Sequence, residues 1–104
     1  MSNMNELMRQ AARMQRKIQQ IHEEMKVKEW TAKVAGDKVA ATVNGERKVA
    51  SIAVDDEFFK SEERDVVLDS IAAAINAAQE LAEKEIEAEV ATATGGLKIP
   101  GLTG

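Results

Sequence analysis

Met4, Leu7, Ala11, Met14, Ile18, Ile21 and Met25 recur at alternating steps of three and four, and no glycine or proline interrupts the stretch from Asn3 to about Lys26. That spacing places them all on one stripe of an α-helix, in the heptad pattern of helices that pair along a seam. At 1.5 Å per residue the helix runs roughly 36 Å, about as long as a small domain is wide. A chain of 104 residues cannot wrap such a rod on every side, so the seam demands a partner surface. Asn3 or Ser2 stands where an N-cap belongs, and Glu6 lies at capping-box distance from Asn3.

Beyond this stretch the period shortens to two and β-branched residues become frequent. The pattern predicts three short strands, at Glu29 to Ala35, Val39 to Val43 and Lys48 to Val54. Gly36-Asp37 and Asn44-Gly45 separate them, and Asn-Gly readily takes the positive φ of a tight hairpin turn, so an antiparallel meander is expected. Trp30, Ala32 and Val34 then share a face, as do Val39, Ala41 and Val43, leaving Lys33, Lys38 and Thr42 to the other side. Asp55 to Glu63 reads as a polar connection. From near Glu62, a second apolar stripe of Leu68, Ile71, Ile75, Ala78, Leu81, Ala82, Ile86 and Val90 predicts a long helix that Gly95-Gly96 ends. The expected class is α+β, with a three-stranded antiparallel sheet and two long helices in a single domain over residues 1–94. A mobile glycine-rich tail is expected over 95–104.

The core of such a domain is thin. Much of the 44% hydrophobic content is alanine, and Trp30, Phe58 and Phe59 are the only aromatic residues. A lone domain of this size leaves roughly a third of its unfolded surface exposed, so any large core must be shared with another chain. Trp30 reads as a core anchor and not as a platform for stacking bases, because no other aromatic residue accompanies it on the sheet.

Catalytic chemistry lacks its equipment. Cysteine is absent, which removes thiolate metal sites, cysteine nucleophiles and disulfides. His22 is the only histidine and cannot complete a zinc set even with Glu23 beside it. Asp55, Asp56 and Glu57 lack the glycine and alternating oxygen ligands of a calcium loop. Ser2, Ser51, Ser61 and Ser70 have no glycine elbow, and no glycine-rich loop precedes a helix to cradle phosphates. No enzyme activity, cofactor, metal or small-molecule substrate is therefore expected. The opening residues lack the basic and apolar regions of a secretory signal, and no run approaches the 18 apolar residues of a membrane span, so no membrane partner and a cytoplasmic location are expected.

The net charge of −4 conceals an asymmetry: residues 1–28 carry +3 and residues 61–93 carry −7. Arg9, Arg13, Arg16 and Gln20 fall within about 60° of one another opposite the seam, with Lys17 at the margin. Cations spaced roughly 5–10 Å along a rod can meet successive phosphates of a duplex and release condensed counterions. The same stripe is also the ordinary solvated face of a paired helix, and spacing alone leaves both readings open. Glu80, Glu83, Glu85, Glu87 and Glu89 on the second helix should turn away from any polyanion.

The string Asn5-Glu-Leu-Met-Arg-Gln-Ala-Ala-Arg-Met-Gln-Arg-Lys-Ile-Gln resembles the opening of the YbaB/EbfC nucleoid-associated proteins. Val39-Ala-Ala-Thr-Val-Asn-Gly is similar to that family's strand and hairpin, and Val49 to Asp55 to its next strand. Leu68-Asp-Ser-Ile-Ala-Ala-Ala-Ile-Asn-Ala-Ala resembles its long second helix, and Gly95-Gly-Leu-Lys-Ile-Pro-Gly its close. The resemblance covers nearly the whole chain and rests on the ordered combination. It implies an α-β-β-β-α protomer in an intertwined homodimer whose helical arms grip double-stranded DNA with limited sequence preference, with no cofactor and a place on the nucleoid.

The family's basic, glutamine-rich first helix maps onto Arg9, Gln10, Arg13, Gln15, Arg16 and Lys17, with Gln20, Lys26 and Lys28 extending the field. Met4, Leu7, Met14, Ile18, Ile21, Trp30, Leu68, Ile71 and Ile75 are the expected core and dimer residues. The rival expectation is a protein-interaction module whose seam or tail docks another protein.

Overall fold

The computed structural model describes residues 3–95, so Ser2 as a cap and residues 96–104 of the expected tail lie outside the described residues. Helix α1 (Asn3–Met25) leads into strands β1 (Glu29–Val34), β2 (Val39–Asn44) and β3 (Val49–Val54). A short helix α2 (Asp56–Ser61) and the long α3 (Arg64–Ala93) follow. The sheet is antiparallel in the order β1-β2-β3. Pairing of Trp30 with Val43, Ala32 with Ala41 and Val34 with Val39 gathers these residues on one face, as alternation predicts. On the opposite face the Thr31 and Thr42 hydroxyls share a 2.7 Å hydrogen bond.

Helix α3 lies over β1 and β2 through Ala74, Ala78 and Ala82, which are fully buried against Val39, Ala41 and Val43. Single methyl groups let the helix backbone settle close to the sheet. Within the single protomer the expected stripe is only partly inward: Leu68 and Leu81 are exposed on the flanks, and Val67 and Ala74, outside that stripe, take inner positions. The bulkiest residues are the wrong size for the line of closest approach, so the i, i+4 row of alanines occupies it.

Three further expectations are corrected. The stretch after β3 forms α2 instead of an irregular connection, because the Asp55 carboxylate caps it by accepting the Phe58 N–H at 3.1 Å. Lys38 sits in the first turn, its ammonium 4.0 Å from Asp55, and not on the outer sheet face. The second hairpin is not a two-residue Asn-Gly turn. Asn44 accepts the Arg47 N–H through its carbonyl at 2.9 Å, and its side-chain oxygen accepts the N–H groups of Glu46 and Lys48. Arg47, at φ 65°, takes the left-handed position. Gly45 is there for space: a Cβ on it would overlap the Met25 carbonyl where α1 ends.

A second apolar cluster joins the helices. Ile18 and Met25 of α1 pack with Ile86 and Val90 of α3, and Met14, Ile21 and Trp30 close around them. Met14 also lies with Ala93, the last residue of α3, in one shallow depression, so the helices run antiparallel and the part of α1 ahead of Gln10 projects beyond the end of α3. The resulting molecule is 73 Å long and 20 by 16 Å across.

The two turns give a direct test. Gly36, at φ 62°, has open space around it, so Gly36→Ala should cost about 1 kcal/mol of backbone strain. Gly45→Ala must displace backbone and should cost about 2–3 kcal/mol in urea unfolding. Equal losses would show that the close approach to Met25 is not a constraint.

Candidate nucleic-acid interface

The anchoring of α1 decides where its basic residues point. Ile18 and Met25 are held under α3, so the face opposite them is turned to solvent. Arg9, Gln10, Arg13, Gln15, Arg16, Lys17 and Gln20 are all exposed on this one helix. Gln10, Arg13 and Lys17 line the depression at the end of α3, while Arg9 and Arg16 lie farther round the cylinder. Gln20 donates to the Glu24 carboxylate at 3.2 Å.

Among the described residues, no carboxylate pairs with Arg9, Arg13, Arg16 or Lys17. The cations after α1 are differently placed. Lys26 reaches Glu23 at 3.0 Å, and that hydrogen bond, reinforced by the charge of Glu23, holds its ammonium pKa above the usual value. Lys28 lies 3.8 Å from Glu85. Both remain on the surface, but each already has a counter-charge.

The acidic helix is partly neutralised by its neighbours. Glu85 accepts the Trp30 indole N–H as well as facing Lys28, Glu83 lies 3.8 Å from Arg47, and Glu80 pairs with Lys84 at 3.4 Å. Trp30 thus serves as a half-buried anchor, touching both apolar clusters and tied to α3 through its polar edge. Of the carboxylates weighed for a cation, Asp55 has a structural role as the cap of α2. His22 is exposed, and among the described residues no group of three His, Asp or Glu side chains could hold a metal. No described helix is long and apolar enough to cross a membrane.

The fold also assembles a group that the linear pattern hides. The Gly45 N–H donates to the Lys28 carbonyl at 3.1 Å, which brings the exposed Arg47 and Lys48 beside Lys26 and Lys28. These cations are about 20 positions apart in the chain, and only the tight approach of the second hairpin to the end of α1 unites them.

The residues expected in the core separate into three environments. Ile18 is buried, and Met14, Ile21, Trp30, Ile71 and Ile75 are half-buried. Met4, Leu7 and Leu68 are open, at 71%, 59% and 50% exposure. Ile75 and Leu68 share a flank of α3 with Gln79, whose amide donates to the Arg47 carbonyl at 3.1 Å, so that flank faces the β3 side. Because α3 rests on β1 and β2, Val49 and Ile52 on the inner face of β3 are left 44% and 39% exposed. Together they make an apolar shelf.

The YbaB/EbfC DNA-binding family matches residues 1–97 of this chain. A nucleoid-associated protein of Clostridium acetobutylicum is 38% identical over 96% of the chain and 89% of its own length. One from Thermoanaerobacter sp. is 37% identical over 96% of the chain and 90% of its own length. A Helicobacter pylori protein of known structure, 20% identical, has the same fold with a TM-score of 0.59, covering 72% of this chain and 87% of that one.

Arg9, Arg13 and Arg16, which have no carboxylate partner among the described residues, should contribute little to folding. Replacing Arg9, Arg13 and Arg16 together by alanine is expected to leave unfolding free energy within about 0.5 kcal/mol of the parent in chemical denaturation. A loss well beyond that would mean that these side chains hold the fold.

Proposed function

The chain belongs to the YbaB/EbfC DNA-binding family, and from this we infer that it binds duplex DNA through the basic face of α1, as a nucleoid-associated protein. The observation that carries the reading is that Arg9, Arg13, Arg16 and Lys17, on one exposed face, have no carboxylate partner among the described residues. From Arg9 to Gln20 the helix advances about 16 Å, a length over which a duplex carries about nine phosphates. Arg9, Arg13 and Arg16 contact phosphate oxygens, Lys17, Lys26 and Lys28 extend the positive field, and Gln10, Gln15 and Gln20 donate further hydrogen bonds. Phosphate contacts set position and carry no sequence code, so discrimination between sequences is weak. The role is binding, in organising the chromosome or regulating its expression, and not catalysis.

The working form is a homodimer. The shelf of Val49, Ile52, Leu68 and Ile75 is an apolar patch on a thin-cored protomer, and a two-fold axis lets each copy cover the other's. Every phosphate contact is then made twice.

A salt series tests the DNA contacts. The alanine triple variant should flatten the slope of log affinity against log salt by about 0.9 for each lost contact, and two unrelated duplexes should bind the parent alike. A slope that does not move assigns the arginines to solvation. Light scattering tests the dimer: the Ile52→Lys, Leu68→Lys variant should run at half the parent mass, and a parent already at single-chain mass would remove the shared core.

A further inference from the structure

Asn44-Gly45 is a reactive pair: a glycine nitrogen attacks the side-chain amide of a preceding asparagine readily, because no Cβ hinders the approach. The fold requires both residues for other reasons. Gly45 is imposed by the Met25 carbonyl, which leaves no room for a Cβ. Asn44 is imposed by the turn, since its Oδ1 accepts the N–H groups of Glu46 at 2.9 Å and Lys48 at 3.1 Å. Asn3, Asn5 and Asn76 precede methionine, glutamate and alanine, so the reactive pair occurs at this one place in the sequence.

The structure holds the two halves of the reaction apart. The two donors on Oδ1 fix the amide and draw electron density from its carbon, Cγ. The nucleophile is withheld. The Gly45 N–H donates to the Lys28 carbonyl at 3.1 Å, and Gly45 lies tight against the end of α1, so its proton is committed and its nitrogen cannot turn toward Cγ. Two further ties hold the hairpin down: the Gln79 amide donates to the Arg47 carbonyl at 3.1 Å, and the Arg47 guanidinium lies 3.8 Å from Glu83. Asn44 and Gly45 are half-buried, within reach of water once these contacts part.

We propose that Asn44 is a site of spontaneous deamidation whose lock is the contact between the second hairpin and the end of α1. When the hairpin lifts, the Gly45 nitrogen bonds to Cγ of Asn44 and the Cγ–Nδ2 bond breaks. Nδ2 leaves as ammonia, carrying the proton that the Gly45 nitrogen gives up. Water then opens the five-membered imide at one carbonyl or the other, leaving an aspartate or an isoaspartate at position 44. The aspartate keeps a side-chain oxygen for Glu46 and Lys48. The isoaspartate adds a carbon to the main chain where Gly45 already meets Met25 without slack, so the hairpin cannot close again. Arg47 and Lys48 then part from Lys26 and Lys28.

Peptide mapping by mass spectrometry of the full chain, held for days at mildly alkaline pH either folded or in concentrated urea, tests the lock. Conversion at Asn44 should be about tenfold or more slower in the folded chain than in urea, where the contact is gone. Gln79→Ala removes one tie without altering Asn44, Gly45 or α1, and should speed conversion in the folded chain about threefold or more while the urea midpoint stays close to that of the parent. Equal rates in the folded chain and in urea, or no conversion in either, overturn the proposal. A rate that Gln79→Ala leaves unchanged overturns it too. An acceleration no larger than the accompanying change in the global unfolding constant assigns the reaction to the fully unfolded chain, and the hairpin lock fails.

Discussion

The contact on which the molecule depends is the one between the methyl groups of Ala74, Ala78 and Ala82 and the face formed by Val39, Ala41 and Val43. Small side chains allow a helix and a sheet to come close, but each buries little area, at roughly 0.8 kcal/mol per methylene-sized group. The sheet half of the protomer is thus well fitted and weakly held. Two features compensate. The β1 strand adds Trp30, which bridges the sheet cluster and the helix cluster. Helix α3 also continues past the sheet to Ile86 and Val90, which grip α1. The position of the basic helix is in this way derived from an alanine row that carries no charge.

Charge is separated by the same geometry. Helix α3 is the acidic element, yet Glu80, Glu83 and Glu85 face Lys84, Arg47 and Lys28, so much of its charge is answered within the protomer. Arg9 lies ahead of the point where Met14 meets Ala93. Measured along the helices, it is roughly 13 Å from Glu89, the nearest acidic residue of α3. That exceeds the Debye length of about 8 Å at physiological salt, and along residues 1–22 Arg9, Arg13, Arg16 and Lys17 stand against Glu6 alone, so this helix keeps a local excess of positive charge although the whole chain carries −4.

Much of this was legible in the residue pattern. The unbroken heptad from Met4 to Met25 predicts α1, and alternation around Ala32 and Ala41 predicts the sheet face, because both periods follow directly from backbone geometry. Less legible were features that depend on contacts distant in sequence. Asn44-Gly45 looks like a tight hairpin, but the glycine answers the Met25 carbonyl about 20 residues earlier and the left-handed position falls to Arg47. Leu68 and Leu81 look like core because they are large, yet the line closest to the sheet belongs to Ala74, Ala78 and Ala82, with Ile71 and Ile75 packed beside it. The candidate site follows the same division. Arg9, Arg13 and Arg16 share a face by helical spacing alone, while the counter-charges on Lys26 and Lys28 and the nearness of Arg47 and Lys48 required the fold.

By itself the sequence determined the order of elements, the two periodic helices, the one-sided sheet and the concentration of positive charge opposite the α1 seam. Each of these follows from spacings of a few residues, which local backbone geometry translates directly into a face. Only the tertiary structure decided which part of the seam is occupied, which cations are already paired and which apolar residues remain open. Those outcomes depend on where α3 ends relative to α1 and which strands it covers, distances set by packing between segments far apart in the chain.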